Sequence, residues 1–167
     1  MHNRIEDSFM SLVEPTRRTT ITTYDIDSSI SFYCGLLEMS VWYDGVFVDP
    51  SVNQIYDLPP TVQTRVCILK SSLDMGDLIA GMIGLMHFEG IEAPNIPLPV
   101  RRPLPGEIVI MFGTTRIQDI QKKLKANMIS YEGPINLSTP GRSVVYELLT
   151  RDPNGVRLAF AQQIEIV

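Results

Sequence analysis

The sequence predicts an α+β fold built from two βαβββ modules, on three observations. The order strand, helix, strand, strand, strand reads twice along the chain. A proline-rich stretch separates the two readings: Ala93 to Gly106 carries Pro94, Pro97, Pro99, Pro103 and Pro105. Proline fixes φ and lacks the amide donor that a sheet interior needs, so this stretch reads as an extended linker. The two ends also match. Thr20–Tyr33 runs from a β-branched segment through an acidic turn into a helix, and Arg151–Phe160 runs strand, Asp152-Pro153-Asn154-Gly155 turn, strand. The expected organisation is an arm over 1–16, a first module over 17–90, a linker over 91–106 and a second module over 107–167. A chain of 167 residues that is 44% hydrophobic holds enough apolar surface for a substantial core.

In the first module, Arg17 to Tyr24 is dense in β-branched residues, which suits a strand. Asp27 or Ser28 is placed to cap the next helix, accepting the free amides of its first turn. Ile30, Tyr33 and Leu37 repeat at helical spacing, widened by Leu36. Strands are expected at Met39–Tyr43, Val62–Leu69 and Met82–Phe88. The intervening stretch 44–60, with Asp49-Pro50 and Pro59-Pro60, is long for a loop in a compact domain and reads as a candidate lid.

In the second module, Ile108–Phe112 reads as a strand and Thr114–Ala126 as a helix. Thr115-Arg116-Ile117-Gln118 fits a capping box, and Ile117, Ile120 and Leu124 form the buried stripe. Met128–Tyr131, Val144–Leu149 and Val156–Ala161 complete the strands. Gly133-Pro134 and Pro140-Gly141 mark a turn-rich stretch between the first two of these. Proline suits the first corner of the Asp-Pro-Asn-Gly turn, and Asn-Gly tolerates positive φ.

The formal charge of −5 and isoelectric point near 5.0 argue against nucleic acid as a partner, since that needs a basic face. Lys122, Lys123 and Lys125 read as a solvated helix face. No stretch approaches the ~20 apolar residues of a spanning helix, so no membrane association is expected. The N-terminal segment is acidic where a signal peptide is apolar, and the cytoplasm is the expected location. Cys34 and Cys67 lie among apolar neighbours and read as reduced, buried thiols.

The spacing from Asp25 through Ser29 to Phe32-Tyr33, together with the terminal Asp-Pro-Asn-Gly and its alternating strand, resembles the vicinal-oxygen-chelate superfamily. That superfamily includes glyoxalases, extradiol dioxygenases and bleomycin-resistance proteins. The resemblance covers about residues 17 to 163. It implies curved mixed sheets around a concave cavity, a divalent metal at the cavity floor, and pairing into a homodimer. It carries the metal-ligand positions onto Arg18, Val109 and Ala159, with a fourth between Gly84 and His87. Divalent metals need donors from His, Cys, Asp or Glu. With guanidinium, isopropyl and methyl groups at three positions, neither a metal nor another cofactor is expected.

Alternation places Arg18, Thr20, Thr22 and Tyr24 on one face of the first strand, and Arg157 and Ala159 on one face of the last. The resemblance turns the first set toward the cavity. Arginine holds carboxylates through paired hydrogen bonds; the alternative for both arginines is a strand-end contact with solvent or surface acids. Trp42 is placed to stack on an aromatic ring, and Met86 and Met111 to line an adaptable apolar pocket, unless they simply pack the core. His87, near neutrality in pKa, and Glu147, in an apolar strand, are the candidate general bases. Each has a plainer alternative as a packed or outward-facing strand residue. The expected function is binding of a small apolar or aromatic molecule. The alternatives are a metal-free lyase or isomerase and a metal-dependent glyoxalase-like or dioxygenase-like enzyme.

Overall fold

The computed structural model describes residues 16–47, 49, 51–71, 81–91, 103–138 and 143–166. The arm with His2, most of the proline-rich linker and the Pro140-Gly141 turn lie outside the described residues. The elements are β1 (Arg18–Thr22), α1 (Ile26–Ile30), a π-helical turn (Ser31–Leu36), β2 (Ser40–Phe47), α2 (Ser51–Ile55), β3 (Thr64–Lys70) and β4 (Met82–Phe88). The second half adds β5 (Val109–Gly113), α3 (Ile117–Ala126), β6 (Tyr131–Ser138), β7 (Ser143–Arg151) and β8 (Arg157–Ile166). They form two four-stranded sheets, ordered β1-β4-β3-β2 and β5-β8-β7-β6. In each, the first strand runs parallel to the last and the other pairs are antiparallel. The fold is α+β, as expected.

Strand register superposes the halves residue by residue. Arg18 pairs with Met82 and Thr22 with Met86; in the second sheet Val109 pairs with Arg157 and Gly113 with Ala161. Just past each first strand, the Thr23 amide donates to the Met86 carbonyl at 2.8 Å and the Thr114 amide to the Ala161 carbonyl at 2.9 Å. Arg18 therefore corresponds to Val109, Gly84 to Ala159, and His87 to Gln162.

The helix-bearing faces of both sheets share one apolar core. Phe32, Tyr33 and Leu36 meet Leu69 and Leu85 from the first sheet, and Ile117 and Leu124 meet Leu148, Leu158 and Phe160 from the second. The stripe expected on α3 is observed, with Ile117 and Leu124 buried and Ile120 packed beside them. On the first helix it shifts. Ile26, Ser29, Phe32, Tyr33 and Leu36 are buried, while Ile30 and Leu37 are only half-buried. The π turn adds a residue to one turn and rotates the positions after it, a local change that 3.6-residue spacing does not anticipate.

Both helix caps differ from expectation. Asp25 caps α1, its side chain accepting from the Ser28 amide at 2.9 Å. The first amide of α3, on Ile117, donates instead to the Gln162 side-chain oxygen at 3.0 Å, so a strand 45 residues away supplies the cap. The stretch expected as a lid contains the end of β2 and α2. It is pinned by buried Asn53, whose amide donates to the Pro59 and Val62 carbonyls at 3.1 and 2.8 Å. Strand β6 begins later than expected and runs on through Gly133-Pro134, which forms a bulge within the sheet.

A buried polar cluster joins the modules. The Tyr33 hydroxyl donates to Asp152 Oδ2 at 3.0 Å, and Asn154 Nδ2 to Ser29 Oγ at 3.1 Å. Ser29 in turn shares a 2.8 Å hydrogen bond with the Thr23 hydroxyl. Asp152 Oδ1 accepts from the Asn154 and Val156 amides at 2.9 and 2.8 Å, and Gly155 closes the turn at φ 83°. Burial, reinforced by the neighbouring carboxyl group, pushes the Tyr33 phenol well above its ordinary pKa, so it remains a donor. Among the described residues no helix is long and apolar enough to cross a membrane.

Candidate functional site

Each sheet has a second face, turned away from α1, the π turn and α3, and most of the expected site residues lie there. On the first sheet α2 and the residue after it cover part of this face, Asn53 meeting Thr64 at 3.4 Å and the Tyr56 ring lying 5.4 Å from Phe88. Ile21 and Leu85 point into the helix core, so alternation turns Arg18, Thr20, Thr22, Gly84 and Met86 to the far face of the first sheet. Leu148, Leu158 and Phe160 point into the same core, which turns Glu147, Arg157, Ala159 and Ala161 to the far face of the second. Met111, opposite Ala159 and 61% exposed, joins them.

Because Ala159 corresponds to Gly84 in the matched registers, the first sheet carries no side chain at that point of its far face. Arg18 fills the space: a β-carbon on Gly84 would lie 2.8 Å from Arg18 Cδ and 2.9 Å from Thr20 Oγ1. The Arg18 Nε donates to Thr20 Oγ1 at 3.0 Å. Met82 and Met86 are buried here with Val66 and Ile68, so this part of the face is apolar. Tyr43 and Phe47 share that face on β2, their rings 6.3 Å apart. Trp42, expected as a stacking residue, sits where the β2 register slips and is 54% exposed.

On the second sheet, Glu147 is half-buried between Ala161 and Ile135 on the neighbouring strands. Arg157, read either as a contact for a ligand anion or as a strand-end contact with a surface acid, meets Glu107: its Nε and Nη2 lie 3.2 and 3.4 Å from the two carboxylate oxygens. Arg151 Nη1 approaches the same carboxylate at 2.6 Å, and the Leu104 amide donates to it at 3.1 Å. Nothing in the sequence singled out Glu107, which comes directly after the linker glycine Gly106 without periodicity or motif.

The Arg151 guanidinium, helped by the Leu104 amide and Arg157, holds the Glu107 carboxyl down to about 2, from an ordinary 4.5. A depressed folded-state pKa adds stability above the unfolded value and loses it as pH falls through the folded one. Acid unfolding followed by circular dichroism should therefore show a loss between pH ~4.5 and ~2 that Glu107→Gln flattens. An unchanged acid limb in that variant would count against the cluster.

Two expected residues lie elsewhere. His87 sits on the helix side of the first sheet, in register with Arg65, and its Nδ1 lies 3.0 Å from the Thr23 carbonyl. Strand β1 ends at Thr22, so alternation does not reach Tyr24. Tyr24 and His87 line a separate polar cleft with Asp25, Asp27 and Glu89, where Arg65 pairs with Asp27 at 2.9 Å and Asp44 at 2.8 Å. The structure thus separates the two candidate bases, His87 on the helix side of one sheet and Glu147 on the far face of the other. Of the two thiols expected to be buried, Cys67 is, its pKa pushed up to about 11 chiefly by burial, while Cys34 is half-buried.

No protein-family model and no curated protein matches the chain. Solved structures do. A glyoxalase family protein from Bacillus cereus is similar at a TM-score of 0.67 and 14% identity, over 95% of this chain and 99% of that one. Glyoxalase I of Leishmania major reaches 0.59 at 15% identity, over 90% and 87%. An antibiotic-binding protein from Streptomyces reaches 0.54 at 12% identity, over 93% and 100%. With the repeated β1-β4-β3-β2 order and the matched registers of its halves, the chain has the fold of these glyoxalase family structures.

Proposed function

We propose that the chain is a metal-independent binder of a small apolar or aromatic molecule carrying an anionic group. One observation carries the reading: the matched registers set Arg18 level with Val109 and Gly84 level with Ala159, positions that we read as equivalent to the metal-ligand positions of glyoxalase-like proteins. A guanidinium, a hydrogen atom, an isopropyl and a methyl group do not fit a divalent cation, which takes about three or more donors from His, Cys, Asp or Glu. Arg18, itself exposed, instead brings positive charge beside the buried apolar cluster of Met82, Met86 and Ile68, the pairing of features that orients an aromatic carboxylate. A second copy of the chain is the natural cover for β2, an edge strand on which Val41, Trp42, Tyr43, Val46 and Phe47 are all at least 39% exposed.

The test is a thermal-shift screen of aromatic carboxylates, with metal analysis of the purified protein. A binder raises the melting temperature by mass action, ~2.7 kcal/mol at a hundred times Kd, and Arg18→Gln should remove most of that gain. Stoichiometric transition metal in the native protein would end the reading. A metal-free lyase or isomerase is the second reading, favoured by Glu147 sharing the far face with Ala159 and Met111. It requires Glu147→Gln to abolish turnover of a bound substrate while leaving its affinity intact.

A further inference from the structure

A cleft of about 210 Å³ opens on the helix side of the molecule, between the two modules. Its floor is apolar, made by Leu36 and Met39 of the first module and Phe112, Ile120 and Phe160 of the second. An apolar cavity of ~150 Å³ is enough to hold benzene, so this one takes a slightly larger body. Its rim carries two cations and two carboxylates: Arg116 and Lys123 converge on Glu38, and Arg116 Nε also lies 3.1 Å from Asp119 Oδ2. Arg116 Nη1 lies 2.9 Å from Glu38 Oε2 and Lys123 Nζ 2.7 Å from Glu38 Oε1, while Lys123 also donates to the Leu36 carbonyl at 3.0 Å.

Glu38 is an unusual residue for its place. It ends the first helix at φ 60°, in the left-handed region that favours glycine or asparagine. Glycine there would relieve the backbone but would give up the reach of the Glu38 side chain to Arg116 and Lys123 of the second module. The carboxylate is half-exposed and occupies the spot where the two cations point at the mouth of an apolar hollow.

We infer that this cleft is a second binding site, for a small monocarboxylate with an aromatic or aliphatic body of about seven carbons, whose carboxylate replaces Glu38 between Arg116 and Lys123. The Glu38 side chain is then an internal competitor that swings out when the ligand enters. The site lies on the opposite side of the sheets from Arg18 and Glu147, and does not rest on the function proposed for the far faces.

Titration of the intact protein with phenylacetate and with octanoate, followed by NMR of the methyl groups of Ile120, Leu36 and Met111, tests this. Ile120 and Leu36 should shift on binding and Met111 should not. The neutral analogue phenylacetamide should bind ~10-fold more weakly, the worth of about one charge-assisted hydrogen bond. Glu38→Gln, which removes the competitor, should tighten phenylacetate ~10-fold, and the double variant R116Q/K123Q should lose it. All three side chains are at least one-third exposed, so these variants retain the fold, which their melting temperatures verify. Failure of both acids to bind the Glu38→Gln protein overturns the inference. So do unchanged affinity in R116Q/K123Q, or shifts at Met111 without shifts at Ile120.

Discussion

Replacing Asp152 by alanine is expected to lower the melting temperature by ~10 °C or more. The substitution strands the Tyr33 hydroxyl and the Asn154 and Val156 amides, which all donate to that side chain. Asp152 itself is only 5% exposed and Tyr33 fully buried, so water has little access to replace it. Leaving a buried donor unmade costs ~1–3 kcal/mol each, and for a chain of this size ~1 kcal/mol moves the melting temperature by roughly 2–4 °C. The effect reaches beyond the turn, because Tyr33 and Asp152 are the polar seam between the modules. Tyr33→Phe removes one donor and leaves Asp152 its other partners, so it should cost less, ~1–2 kcal/mol. Thermal unfolding by circular dichroism measures both. Equal, small losses would mean that the seam adds little beyond the apolar core around it.

Gly133→Ala is the second large effect. Gly133 stands at φ 91°, where a side chain is strained in any environment. A β-carbon there would also sit 2.6 Å from the Glu147 carbonyl oxygen and 3.1 Å from the Ile135 amide nitrogen. Both are backbone atoms, so strand β6 has to move away from β7. We expect a loss of roughly 2–4 kcal/mol, and a disturbed far face, because Glu147 and Ile135 are neighbours in that ladder. Gly84→Ala is the instructive control. Its obstructing atoms are Arg18 Cδ and Thr20 Oγ1, side-chain atoms that can swing aside, and the expected loss is under ~1 kcal/mol. Equal destabilisation in the two variants would refute this contrast between backbone and side-chain crowding.

Much of the fold was legible along the chain. The β-branched run at Thr19–Thr23, the Ile117, Ile120 and Leu124 stripe and the Asp-Pro-Asn-Gly turn are local patterns of period or turn chemistry, and the structure places each as read. Elements shaped by distant partners were not. The π turn at Ser31–Leu36 shifts the first helix stripe, and Gln162 caps α3 from another strand. Strand β6 runs through Gly133-Pro134 because β7 pairs with it on either side of a bulge. The facing of Glu147 waited on the structure, whereas the shared face of Arg18, Thr20 and Thr22, and that of Arg157 and Ala159, came from simple alternation. Tyr24 did not, since the strand ends before it, and Arg157 was read without Glu107, its partner 50 residues earlier.

Sequence alone determined the repeated element order and which side of each strand is apolar, because both rest on spacing among near neighbours. Tertiary structure decided that Gly84 stands level with Ala159, that His87 is turned to the helices, and that Tyr33 meets Asp152 across 119 residues. A slip of one residue in strand pairing turns every side chain to the opposite face, and only packing of the two modules around their shared core selects the register.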